Sequence, residues 1–495
     1  MNAQKGAFSG RAKRKTMPSC YSDMTNGASS RPMPEIARPT PALLALSWVI
    51  AATICFAFYS LVIIRHFEAG GVVEDSGWFA YLMSSGDPLL TNPRSVNGLS
   101  YYAHHLSPVL YIWSIVFNSG FGFAGITGFA LYFGFSALLV LVPFALLSLR
   151  NGLPAWQAYL AVAAAAVFTL TNIPMIRVLD YPHFEIAFPG LVGVLFLCLL
   201  RKRLLPALIT IAVMALVRED GGLFAAYTVT VYWAANVRFD DKAMVSRCLA
   251  LFTLSLALSV LGMIVQHVWF PGFAAFSSNF SGNHFDHITI GFLLHRLGAL
   301  FTNFGTAPAI LVSVILGMAN VRYAFPLLFM LPLIVLQLVS VRDVIGTFQL
   351  HYGIPFAIVG LLILIMVLFD SARTQQSKVV WIAIFALLAV NHAPTRTWVT
   401  WVTQVPEFSI PASQRYIEEL TPDENHSICG SVGVLALAPD RFAREQFVKG
   451  EIPDHCTSVI LFEGDLDYRR LHPLMSALAF SRIDKLNRLE LYRRQ

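Results

Sequence analysis

The sequence predicts an all-α polytopic membrane protein that ends in a small α/β domain, and three observations carry that fold class. The 495 residues are 56% hydrophobic and 13% charged, with a mean hydropathy of +0.62. A soluble chain of this size needs far more charge to cover its surface. The apolar residues gather in runs that approach or exceed the roughly 20 residues needed to cross a hydrocarbon core. Lys and Arg sit in short groups between those runs, as orientation signals do. The net charge of +6 is therefore no continuous basic face of the kind that binds nucleic acid.

Residues 1–40 are rich in Ser, Pro, Gly and basic residues, with Arg11, Lys13, Arg14 and Lys15 clustered. They have too little apolar content to fold and carry no signal-peptide core, so they read as a disordered cytoplasmic tail. Residues 41–393 read as the transmembrane domain. Its first span runs from about Pro41 to Ile64 and leads into a long loop, residues 65–120. That loop holds Glu74-Asp75, an amphipathic run from Trp78 to Met83, Asp87 and His104-His105. Residues 109–117 are apolar but too short to cross, and are expected to form an interfacial or re-entrant helix.

Ten further spans are expected, at about Phe121–Leu149, Ala155–Thr171, Ile186–Leu200, Leu204–Val217, Gly221–Ala235, Leu249–Trp269, Gly305–Met318, Tyr323–Val339, Gly353–Phe369 and Val379–Val390. This makes about eleven. The basic groups at Arg150, Arg201-Lys202-Arg203, Arg238 to Arg247, Arg322 and Arg373 to Lys378 then fall on one side. That side is expected to be cytoplasmic, in a bacterial inner membrane, with residues 394–495 outside.

The last hundred residues mix signals: a helix at Pro411–Leu420 and apolar strands at Ser427–Leu437, Ser458–Phe462 and Arg488–Tyr492. Outside the cell, Cys429 and Cys456 are candidates for a disulfide, although two free thiols in a small core fit the spacing equally well. Cys55, Cys198 and Cys248 fall in or beside apolar runs and read as small hydrophobes.

The polar clusters collect on the face opposite the basic loops. They are Glu74-Asp75, flanked by Gly70, Gly71 and Gly77; His104-His105; Arg177 to Glu185; Arg218-Glu219-Asp220; His284 to His287; and Arg342-Asp343 with His351. The Arg218 triplet interrupts a stretch that is otherwise apolar from Leu204 to Tyr227. Charges at a span centre cost roughly 2.5–3.5 kcal/mol each, so the triplet must end a helix or face a polar cavity. Gly221-Gly222 would supply a hairpin turn by themselves. Arg218 has the fork that pairs with a phosphate. His183-x-Glu185 carries acid/base or metal-ligand chemistry, although H-x-E alone is weak spacing evidence for a metal.

In order, Glu74-Asp75-Ser76-Gly77-Trp78-Phe79, His105-Leu106-Ser107-Pro108, His183-Phe184-Glu185 and Arg218-Glu219-Asp220 resemble a bacterial membrane-protein family of unknown function. Its members carry D-x-G-x-F, H-F-S-P, H-P-E and K-E-D motifs, and it is similar to the GT-C superfamily of polyprenyl-phosphate-sugar-dependent glycosyltransferases. The match covers about residues 41–395, with Leu106, Phe184 and Arg218 departing from the family pattern. The resemblance implies an inverting transfer of a sugar from a polyprenyl-phosphate donor to an envelope glycan, lipid or protein. Asp75 would be the catalytic carboxylate, with Glu74 beside it. His105, His183, Glu185, Arg218, Glu219 and Asp220 would bind substrate, and a divalent cation is a possible cofactor. The alternatives are a non-catalytic component that binds lipid-linked glycans, and a transporter or flippase. Charges at span ends and the lack of an internal repeat argue against the transporter.

Overall fold

The computed structural model describes residues 39–68, 74–91, 100–122, 125–150, 153–271, 286–303, 305–374, 409–420, 427–442, 446, 448, 450–463 and 465–495. The expected cytoplasmic tail (apart from its last two residues), Gly70, Gly71, His284 and the expected span at Val379–Val390 lie outside the described residues.

The apolar runs fold as helices close to where the sequence puts them. They are α1 (Pro41–Glu68), α4 (Gly125–Arg150), α5 (Ala155–Thr171), α7 (Ala187–Leu200), α8 (Leu204–Val217), α9 (Gly221–Asn236), α10 (Lys242–Trp269), α12 (Ala307–Ala319), α13 (Phe325–Leu338) and α15 (Ile354–Thr374). Shorter helices lie between them: α2 (Glu74–Leu82), α3 (Pro108–Trp113), α6 (Ile173–Asp180), α11 (Ile290–Thr302) and α14 (Asp343–Gly346). Among the described residues, six helical segments are long and apolar enough to cross a membrane. A bent pair, α11 with α12, would make seven. The figure of eleven counted α7, α8 and α9 as full spans, yet these have 14, 14 and 16 residues, about 21–24 Å of helix against a core of about 30 Å. The chain is a polytopic membrane protein.

Two features position the site. First, α15 is the buried axis of the bundle, with Phe356 to Leu368 almost wholly enclosed apart from Gly360. α7 packs against α4, α8, α9 and α15. The outward faces of α1 and α10 stay apolar and open, with Val49 60% and Val268 61% exposed, as surfaces that meet lipid must be. Second, α8, α9 and α10 approach closely. A Cβ on Gly221 would lie 1.9 Å from the Met214 carbonyl oxygen, and one on Gly222 2.1 Å from that of Ser255. Both glycines are helical, so they serve helix contact. The turn is made by the charged triplet itself, with Gly221 N–H donating to Arg218 O at 2.8 Å.

The C-terminal part forms a four-stranded sheet in the order β1 (Ile428–Gly430), β2 (Ser458–Phe462), β4 (Leu489–Arg494), β3 (Phe480–Leu486). β1 and β2 are parallel and the other neighbours antiparallel. Cys429 on β1 is joined to Cys456 by a disulfide, with Cα atoms 5.8 Å apart. Three further helices flank the sheet: α16 (Ile410–Glu419), α17 (Val432–Leu437) and α18 (Leu466–Leu471).

Two expectations are corrected here. The run Ser427–Leu437 is not one strand: after β1, Ser431 Oγ binds Asp465 and accepts from Phe462 N–H at 3.0 Å, and the chain turns into helix α17. Trp78–Met83 is not amphipathic in its setting either. Every residue from Ser76 to Ser84 is buried, because α17 packs onto α2 from the side that the sequence leaves to water. Gly222→Val is expected to lower stability by about 1–3 kcal/mol through overpacking between α9 and α10. Thermal unfolding of the purified protein checks this, and an unchanged melting temperature would refute the close-contact reading.

Candidate active site

The α8–α9 turn is the organising element. Arg218 adopts an extended backbone (φ −160°, ψ 155°), and its guanidinium is taken by two carboxylates. Nε donates to Asp220 Oδ1 at 2.5 Å and Nη2 to Asp220 Oδ2, a bidentate pair, while Nη1 donates to Glu185 Oε1. Glu219, between them in sequence, points the other way. Its Oε1 lies 2.9 Å from His105 Nδ1, and its Oε2 accepts from Leu106 N–H at 2.9 Å. One three-residue turn thus holds both the first loop, through His105-Leu106, and the start of α7, through Glu185.

Glu185 sits in a short 3₁₀ turn, Phe184–Ile186, that runs straight into α7. The turn is pinned by Tyr132 of α4, whose hydroxyl donates to Phe184 O at 2.7 Å. His183 Nδ1 lies 3.5 Å from Glu185 Oε1. The His183 ring stacks on that of His351 (4.1 Å between centroids, planes 13° apart). His351 comes from the 3₁₀ turn Leu350–Gly353 at the head of α15.

The opposite edge of His183 meets Phe79 of α2 (4.8 Å, edge to face), and Phe79 also meets Phe184 (5.1 Å) and Tyr101 (5.8 Å). Glu74 and Asp75 open α2, so Asp75 is placed one helical turn ahead of the residue that touches His183.

The electrostatics follow from burial and these pairings. Burial pulls the His105 imidazole down, but the Glu219 carboxylate more than offsets it, leaving the pKa above the usual histidine value. For Glu219 burial pushes up, and His105, its hydrogen bond and Arg218 together bring the carboxyl below its usual value. Burial raises Asp220, aided by the neighbouring carboxylates and opposed by Arg218. Burial, with the His351, His105 and Arg218 charges nearby, holds His183 well below 6.5, so it is neutral. Around the turn, the Arg218 guanidinium and the His105 imidazole face three carboxyl groups, Glu185, Glu219 and Asp220.

His183, Glu185 and His351 also offer ligand atoms within 4.8 Å of one another. The Nδ1 atoms of His183 and His351 are buried without a hydrogen-bond partner among the described residues. Two imidazoles and a carboxylate are a zinc-type donor set. In this arrangement, however, Glu185 already has its counter-charge in Arg218, so a cation would have to displace or share that guanidinium.

Six residues expected at the site from sequence (His105, His183, Glu185, Arg218, Glu219 and Asp220) come together, and His351 and Phe79 join them. The sequence had already grouped His351, with Arg342-Asp343, among the polar clusters of the same expected face. Other polar groups on the expected face go elsewhere: Asp343 pairs with the buried Arg296 (2.5 Å), and His287 Nε2 lies 2.9 Å from Val339 O. Cys429 and Cys456 sit in the C-terminal sheet.

The polytopic helical fold that carries this cluster has a counterpart among solved structures. The fold is similar to that in the crystal structure of ArnT from Cupriavidus metallidurans bound to undecaprenyl phosphate, with a TM-score of 0.51 at 12% identity over 92% of this chain and 98% of that one. At this identity the likeness is one of fold. Neither a protein-family model nor a curated protein sequence matches the chain.

The His105–Glu219 pair gives a pH signature. Glu219, depressed on folding, stabilises above its unfolded pKa of about 4.3, and this is lost as pH falls through the lower folded value. His105, raised on folding, stabilises below about 6.5, and this is lost as pH rises through the higher folded value. Glu219→Gln is expected to lower the melting temperature most between about pH 5 and 6, with the deficit shrinking on either side. A deficit independent of pH would show that the pair has no ionic role.

Proposed function

We propose that the protein is an inverting, GT-C-type glycosyltransferase that moves a sugar from a polyprenyl-phosphate donor to an envelope glycan, lipid or protein on the extracytoplasmic side of a bacterial inner membrane. The observation that carries this reading is the convergence of three motifs, more than a hundred residues apart at their extremes, on one interlocked cluster below α2. The fold's likeness to a structure holding undecaprenyl phosphate supports the same reading.

In the proposed reaction Asp75 takes the proton of the acceptor hydroxyl as its oxygen bonds to the anomeric carbon. The bond from that carbon to the phosphate oxygen breaks on the opposite side. Its electron pair leaves with the polyprenyl phosphate, which inverts the configuration. His105, oriented by Glu219, which favours its protonated form, presents Nε2 to the phosphate as its charge grows. Arg218 orders Glu185 and Asp220 to accept hydrogen bonds from sugar hydroxyls, and reaches the phosphate only by releasing one of them. Glu74 neighbours the base, and neutral His183 backs Glu185. Residues 394–495 are the proposed acceptor-binding part, because α17 covers α2, which opens with Glu74-Asp75.

Asp75→Asn is expected to reduce transfer from a panel of polyprenyl-phosphate sugars by about 10²–10⁴-fold, with donor binding retained. Turnover at the wild-type rate would remove Asp75 from this role. Binding without turnover by the wild-type protein would instead make it a lipid-linked glycan-binding component. Because Arg218 supplies the charge facing Glu185, transfer is expected to survive EDTA. Loss on chelation, restored by a divalent metal, would assign His183, Glu185 and His351 to that ion.

A further inference from the structure

At the end of α8 away from Arg218, about 21 Å along the helix, a shallow open cleft lies between α7, α8, α9 and α10. Its floor is apolar: Leu199, Ala207, Met244 and Leu251, with Cys198 and Cys248. Its rim carries Lys202, Arg203 and Arg247. None of these three cations is paired with a carboxylate among the described residues. The acid nearby, Asp241, is engaged in capping α10, its Oδ1 accepting from Met244 N–H at 3.1 Å. Arg201 alongside is turned away, donating to Leu146 O at 2.6 Å. Leu205 and Leu249, beside the cleft in sequence, are 69% and 52% exposed, so it opens among surfaces that face lipid.

We propose that this cleft is a binding site for an anionic phospholipid of the adjoining leaflet, with its headgroup phosphate among Lys202, Arg203 and Arg247 and its glycerol and upper acyl chain on the apolar floor. The shape and the charge select this occupant together. A soluble phosphate would satisfy the cations but leave the floor unfilled. A choline phospholipid would fill the floor but place a quaternary ammonium among three cations. The chain's own N-terminal tail, with Arg11, Lys13, Arg14 and Lys15, has the wrong sign. Basic pockets between helices near a membrane surface are suited to anionic headgroups in this way.

The site is separate from the proposed sugar-transfer site, and its test does not need turnover. The full chain, purified and stripped of lipid in neutral detergent, is titrated with dioleoylphosphatidylglycerol, dioleoylphosphatidylcholine or glycerol phosphate. Bound lipid is read by native mass spectrometry and stability by thermal unfolding. The anionic lipid is expected to bind on the order of 10- to 30-fold more tightly than the choline lipid and to raise the melting temperature, whereas glycerol phosphate alone does neither. Arg203→Ala with Arg247→Ala should erase the preference, and Arg203→Lys with Arg247→Lys should keep it. Ala207→Phe, which fills the floor without changing charge, should weaken lipid binding and provides a second variant if the double alanine variant does not fold. Equal binding of the two lipids, an equal shift with glycerol phosphate, or a preference that survives the double alanine change would each overturn the proposal.

Discussion

The structure depends on the way a half-buried arginine is satisfied. Arg218 sits at the end of a hydrophobic helix where an unpaired charge would cost several kcal/mol, and it is held by Asp220 from its own turn and by Glu185 from the start of α7. That arrangement sets the distance between the α8–α9 turn and α7. It also leaves Glu219 on the far side of the turn, where it takes His105 and the Leu106 amide. The first loop, the start of α7 and the charged triplet are therefore fixed by one set of ion pairs, and removing Arg218 would leave Glu185 and Asp220 facing each other without a counter-charge.

The cluster is supported by aromatic packing as much as by charge. Phe79 lies between Tyr101 and Phe184 and lays its edge on His183, so the helix that begins with Glu74-Asp75 is placed relative to the histidines by ring contacts. Such contacts keep water out and strengthen the hydrogen bonds they enclose. The polar cluster and the hydrophobic core meet at this wall.

Much of this was legible in the sequence. Helices such as Ala155–Thr171 and Leu204–Val217 begin and end where their apolar runs do, because the lipid-facing and buried faces are both apolar and the run length fixes the element. The grouping of His105, His183, Glu185 and Arg218–Asp220 was legible as a shared membrane face. The pairing among them was not, since nothing local says that Glu219 turns toward His105 while its neighbours turn toward Arg218. The same limit explains α17. Val432–Leu437 is a short apolar run that fits strand or helix, and its fate is settled by Asp465, more than thirty residues later, binding Ser431. The roles of Gly221 and Gly222 were misread for the same reason: the contacts that require them, at Met214 and Ser255, are tertiary.

The covering of α2 by α17 has a consequence for biogenesis. The buried stretch from Ser76 to Ser84 is made early, but the helix that closes over it emerges roughly 350 residues later, on the order of 20–70 s at ordinary synthesis rates. Through that interval Trp78, Phe79 and Leu82 stand with one side uncovered. A ribosome that stalls before β1 would release a chain whose membrane helices can insert but whose first loop stays open to proteases and to wrong partners. Synthesis of the segment from β1 onward would thus act as the quality-control step for the first loop.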